Sequence, residues 1–189
     1  MINKIFLNFI IIFFITSCNV SVPKSNYYRE GLKFTLKTAR QIEKDNNLEL
    51  VSYGINNNGF GDSPNWNGIH DFTFFYRKIE LLNINEARKL LIKLVDETMR
   101  NINENGSIKE YLVEYPFKIE NLDLGIVFKD KNRKTVFGKN IESCGLNNRK
   151  ISYTIIPDDD SLMLTYEESY EDAVEIVKNN IETDPVFTR

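Results

Sequence analysis

Histidine and tryptophan each occur once in this 189-residue chain and cysteine twice, and the scarcity excludes whole classes of chemistry. With His70 as the sole histidine, zinc motifs that need two, such as HExxH, are impossible. No excess of positive charge exists: 24 Lys and Arg stand against 27 Asp and Glu, a formal net charge of −3. A protein that reads nucleic acid or anionic lipid by charge needs a basic face. The densest basic stretch here, "KDKNRK" at residues 129–134, lies between the strand-like runs "LGIVF" and "TVFG" and reads as a charged hairpin turn. Nucleotide and calcium fingerprints are missing too. Gly59-Phe60-Gly61 has no third glycine in place and opens no helix, and Phe60 occupies what would be a ligand position of an EF-hand loop. No cofactor or metal is implied.

Long apolar runs are also absent. The longest, residues 5–15, has 11 residues interrupted by Asn8, whereas a membrane-spanning helix takes about 20. Lys4 and the amino terminus before it, and Thr16-Ser17 after it, give the layout of a secretory signal. It ends "ITSC", which resembles the bacterial lipobox: an aliphatic residue, two small residues and a cysteine. The resemblance implies that residues 1–17 are a signal peptide, that a diacylglycerol is attached to the Cys18 sulfur, and that cleavage leaves Cys18 as the first residue. A second acyl chain turns reversible membrane attachment into firm anchoring. In two-membrane bacteria the residue after such a cysteine directs sorting, and Asn19 in place of aspartate favours the outer membrane. Residues 19–25 form a tether that reaches at most about 25 Å, so the folded part is expected close to the lipid headgroups.

Lys4 is the only charged side chain in residues 1–17, so the remainder is slightly more acidic than the whole. Residues 26–189 make one domain large enough to bury a core without staples. Thirteen Phe and nine Tyr argue for a packed fold over disorder. If Cys18 carries lipid, Cys144 has no disulfide partner, and "IESCGL" places it among apolar neighbours as a buried thiol.

Apolar spacing predicts a helix within residues 25–47, capped by Ser25 or Asn26 and stopped by Asn46-Asn47, with Tyr28, Leu32, Leu36, Ala39 and Ile42 on its buried face and Gly31 as a weak point. Strands are expected at residues 48–56 and 69–82. The clearest helix follows, "NINEARKLLIKLVDETMRNINENG", with Asn83 and Glu86 as a capping box and Ala87, Leu90, Leu91, Leu94, Val95, Met99 and Ile102 as the buried stripe. Its charged residues, Arg88 among them, read as a solvated face. "SIKEYLVEY" reads as a short helix stopped by Pro116. Strand-like runs "LDLGIVF", "KTVFG", "KISYTII" and "LMLTYEE" come next, and "SYEDAVEIVKNNI" closes the chain as a helix. The fold class expected is α+β: a two-layer sandwich with a mostly antiparallel sheet and helices on one face.

Beyond the lipobox, "ARKLLIKLVDETMRNIN" and "YPFKIENLDLGIVF" resemble stretches of small uncharacterised lipoproteins of host-associated bacteria, a group that implies no activity. Two functional readings follow. In the first the chain is a non-enzymatic envelope lipoprotein, held to the membrane by its anchor, that binds an envelope protein or component. Its candidate contact is the polar loop "NNNGFGDSPNWNG" with Asp62, Asn65 and Trp66, since long loops with an aromatic are often functional. In the second it is a cell-envelope hydrolase using His70 with Asp71, or Cys144, although no nucleophile motif surrounds any of them. Asp158, Asp159 and Asp160 after Pro157 are hard oxygen ligands in type, yet consecutive turn residues point apart, so a tight turn explains them. Glu167, Glu168, Glu171 and Asp172 read as an acidic, solubilising patch.

Overall fold

The computed structural model describes residues 26–56, 68–157 and 163–189. Cys18 with its signal and tether, the loop residues Asp62, Asn65 and Trp66, and Asp158, Asp159 and Asp160 lie outside these. The first helix, α1 (Asn26–Asp45), leads into strand β1 (Glu49–Asn56) and strand β2 (Asp71–Lys78). Helix α2 (Ile84–Glu104), a single turn α3 (Gly106–Lys109) and a 3₁₀ turn (Ile119–Asn121) follow. Strands β3 (Leu122–Phe128), β4 (Ser143–Asn147), β5 (Lys150–Ile155) and β6 (Leu164–Ser169) then lead directly into helix α4 (Tyr170–Lys178). The six strands form one sheet in chain order. Every neighbouring pair is antiparallel except β2 and β3, which run parallel because the chain returns through α2 before starting β3. No described helix is long and apolar enough to cross a membrane.

Strand alternation sorts the sheet into two faces. Phe72, Phe74 and Tyr76 of β2, Leu122, Leu124, Ile126 and Phe128 of β3, Cys144 and Leu146 of β4, and Ile151 and Tyr153 of β5 are all buried on the helix side. Each such large apolar side chain contributes about 1.5–3 kcal/mol by leaving water. Phe72 meets Phe34 of α1 and Phe117 edge-on, at ring separations of 5.8 and 5.2 Å, tying helix, sheet and the 3₁₀ approach together.

The α1 stripe is rotated from its expected position. Gly31, Phe34, Thr35, Thr38, Ala39 and Ile42 are buried, while Leu32 and Leu36 are half-buried. Gly31 is the cause: a Cβ there would stand 2.5 Å from Ile69 Cδ1 and 2.9 Å from Ile55 Cδ1, so its bareness lets the helix settle on the sheet. The α2 capping box is as expected, with Asn83 accepting from the Glu86 N–H at 3.0 Å and the Glu86 carboxylate accepting from the Asn83 N–H at 2.9 Å.

Arg88 corrects the reading of the polar face of α2. It is fully buried and makes a two-pronged pair with Glu168, Nε to Oε1 at 2.7 Å and Nη2 to Oε2 at 3.1 Å. Glu168 therefore belongs to the interior and not to a solubilising patch. The Tyr153 hydroxyl donates to Glu168 Oε1 at 2.7 Å and the Tyr166 hydroxyl to Oε2 at 3.2 Å. Arg88 Nη1 donates to Asn85 Oδ1 and Thr183 Oγ1, which fastens the C-terminal segment to α2. The buried charges survive because nearly every donor and acceptor is matched.

Three strand and helix expectations also change. The β2 strand stops at Lys78 instead of continuing to 82, because Leu82 and Asn83 turn the chain into α2. The run "KTVFG" is not a strand: Thr135 makes one bridge to Lys129, and Val136 is buried beside a loop. The strand in its place is "SCGLN". The helix expected from residue 107 to 115 ends at Lys109, since Leu112 bridges to Ile69 and Val113 N–H donates to the Ile69 carbonyl at 3.0 Å.

Candidate functional site

His70 immediately precedes β2, with its backbone N–H donating to the Asn56 carbonyl at 2.8 Å. Its Nδ1 lies 2.6 Å from Asp71 Oδ1, so the two sequence neighbours do form a pair. Cys144 is elsewhere. It lies opposite Ile126, which lies opposite Tyr76, six residues beyond His70 and so about 20 Å further along the sheet. Its side chain is packed on the helix side, 5% exposed, and burial pushes the thiol pKa far above its usual range. A thiol held protonated and walled off from solvent is no nucleophile. The hydrolase arrangement that joins His70 to Cys144 is not assembled.

The side chains that do converge lie on the other face of the sheet, over which no described helix packs. A cross-strand row runs Phe75, Gly125, Gly145, Ser152 and Glu167, one residue from each of β2 to β6. Two glycines and a serine make its middle shallow. Phe75 lies sideways over Gly125: a Cβ built on that glycine would stand 2.6 Å from the ring Cδ1, so only glycine lets the ring lie down. Gly145 is more mildly restricted, with the Leu124 carbonyl oxygen 3.2 Å from where its Cβ would be. The result is a groove of about 370 Å³, with Asp123 and Asn147 on one flank and Val127 and Ser143 on the other. Phe75 remains 43% exposed at one end.

The groove's electrostatics centre on Asp123. Burial raises its carboxyl pKa, the Asn147 amide that donates to Oδ1 opposes the shift, and the negative charge of Asp71 adds to it. Asp71 and Asp123 thus share one end of the open face, each with its own polar partner. Across the strands from Asn147, Lys150 and Glu167 neutralise each other at 2.8 Å. On the outer side of Phe75, Arg77 pairs with Glu49 at 3.2 Å.

Two further grooves, of about 520 and 540 Å³, adjoin each other around Asp96, Tyr170 and Glu171, between α2 and α4. Their polar side chains are largely committed to one another. The Tyr170 hydroxyl donates to Asp96 at 3.0 Å, and Arg149 bridges Glu120 and Glu171. Among the described residues no group of three or more His, Cys, Asp or Glu could hold a metal ion.

Phe75, Asp123, Gly125, Gly145 and Asn147 went unrecognised in the sequence. One signal was available: in "DFTFFYRK" the aromatics Phe72, Phe74 and Tyr76 share a period of two, and Phe75 breaks it, which places one aromatic on the opposite face. The glycine opposite it is visible only once the parallel register is known. Comparison with protein-family models, with curated proteins and with solved structures finds no match.

Proposed function

We propose that this chain is a membrane-anchored envelope lipoprotein that acts as a non-enzymatic binding module and meets its ligand with the open face of its sheet. One observation carries the reading: the helices occupy one side of the sheet, and the other presents an exposed Phe75 over a glycine-floored groove beside Asp123 and Asn147. Large apolar side chains left on a surface beside positioned polar groups are a frequent mark of contact sites. Cys18 supplies the anchor, and the seven residues that follow it hold the domain within about 25 Å of the bilayer. The burial of Cys144, far from His70, supports binding over hydrolysis.

Two measurements test this. Intact-mass spectrometry of the protein from the membrane fraction is expected to show cleavage before Cys18 plus a diacylglycerol, both lost in Cys18→Ala. A photo-crosslinking residue at Thr154, on the open face beside the groove, is expected to trap a component of the envelope, whereas the same residue at Arg100, exposed on α2, traps none. An unmodified Cys18 refutes the anchor, and equal or absent crosslinking at both positions refutes the open face as the contact surface.

A further inference from the structure

We infer that the groove across β3, β4 and β5 is a saccharide site that takes a short run of an uncharged glycan, with one sugar ring against Phe75 and its hydroxyls on Asp123 and Asn147. The inference rests on the open face being the binding surface and names what binds there.

The geometry limits the ligand first by length. The floor crosses three strands spaced about 4.8 Å apart, so it accepts something extended and narrow. Its volume of about 370 Å³ falls within the range of about 300–1,000 Å³ usual for small-ligand sites.

Chemistry excludes the competitors. A peptide cannot add here as a strand, because β3 and β4 are interior and their backbone groups are already spent on the ladders to β2 and β5. An apolar segment finds few partners: Leu124, Ile126, Cys144 and Leu146 line the groove but are buried towards the helices, which leaves Phe75 and Val127 as its apolar side chains. A phosphorylated or otherwise anionic ligand meets the Asp123 carboxylate, and Arg77 and Lys150, the cations of β2 and β5 beside the groove, are already paired with Glu49 and Glu167. What remains is a ligand that is neutral, brings its own donors and acceptors along its length, and has an apolar face. A pyranose chain is such a ligand: its C–H face lies on an aromatic ring, and its hydroxyls both donate and accept.

The polar flank fits that role. A carboxylate has two accepting oxygens, and the Asn147 amide takes Oδ1 of Asp123, fixing the carboxylate's orientation. A sugar hydroxyl donates more strongly to Asp123 when the carboxylate is ionised, and burial already favours its neutral form. Binding is therefore expected to weaken on acidification at a higher pH than an ordinary aspartate would dictate.

The test uses the membrane-extracted protein in detergent micelles, labelled with ¹⁵N-glycine, and titrated with chitotetraose, cellotetraose and maltotetraose. At least one is expected to shift the Gly125 and Gly145 amide signals saturably while those of Gly31 and Gly106 stay in place. Phe75→Ala and Ser152→Gln should each weaken binding about tenfold or more, and Phe75→Trp should retain it. Unchanged Gly31 and Gly106 signals in the Ser152→Gln protein without ligand show that it remains folded. If none of the three shifts Gly125 or Gly145, the saccharide assignment is overturned. The Thr154 crosslink then separates the cases: a trapped envelope protein leaves the open face standing as a binding surface for a protein partner, and an empty crosslink removes both.

Discussion

Replacing Arg88 by methionine tests the interior directly. The methionine keeps much of the volume and the unbranched stem but removes the cation, so the main loss is electrostatic and not a cavity. Glu168, whose side chain is 3% exposed, then keeps only the hydroxyls of Tyr153 and Tyr166. Breaking a buried pair in this way costs about 3–5 kcal/mol, because the remaining charge has neither water nor counterion. For a chain of this size each kcal/mol shifts the melting temperature by about 2–4 °C, so a fall of about 6–20 °C is expected. Glu168→Gln strands the guanidinium instead and should cost a similar amount. The double variant leaves no unpaired charge, and the amide oxygen of the glutamine still accepts from a tyrosine. Its cost should fall short of the sum of the singles by at least about 2 kcal/mol. Urea unfolding followed by circular dichroism, with the denaturant slope unchanged, measures all four species. A cost below about 0.5 kcal/mol for Arg88→Met, the value of an ordinary surface substitution, would refute the buried network and return Arg88 to solvent.

Gly125→Ala should push the half-exposed Phe75 ring off the sheet, so the packing it loses is partly offset by the gain of about 0.5–1 kcal/mol when a strand glycine is replaced, and in a Phe75→Ala background only that gain should remain. Thermal melts of the two singles and the double settle it. Asp123→Asn should raise the melting temperature at neutral pH: the folded protein holds this carboxyl's pKa above its unfolded value, so the ionised form is a penalty at pH above the folded pKa. That penalty disappears below the unfolded pKa, so the advantage of the variant should vanish in acid; an advantage that persists there argues against the cause given. A thiol reagent should leave Cys144 unmodified in the folded protein and label it fully in denaturant, as peptide mass mapping would show, and fast labelling under native conditions would contradict its burial.

Local signals proved legible and long-range pairings did not. The Asn83–Glu86 box lies within four residues, and the start of α2 was placed by it alone. The α+β class and the mostly antiparallel sheet were likewise readable from strand-like runs and turns. Arg88 was misplaced because a charged residue on an amphipathic helix is normally solvated, and the partner that buries it is 80 positions away. Strand β4 escaped notice since "SCGLN" has neither β-branched nor aromatic residues, and it is a strand because β3 and β5 hold it on both sides. In "KTVFG" the reverse applied: the propensity is there, and no neighbouring strand is. The groove combines both difficulties, since Phe75, Gly125 and Gly145 become neighbours only through one parallel and one antiparallel register. Its flanking residues are small and polar, a composition that in sequence reads as solvent exposure.

The two margins of the sheet are unequal. Beside β6, Thr188 is bonded to Thr165 in both directions, N–H to carbonyl, at 2.7 and 2.9 Å, while β1 has β2 as its only strand neighbour in the described sheet. Edge-to-edge polymers grow only when each unit offers a free margin at both ends. Among the described residues the tail's bridge occupies the outer margin of β6 at Thr165, so a strand of another molecule can add there only after the tail has been displaced.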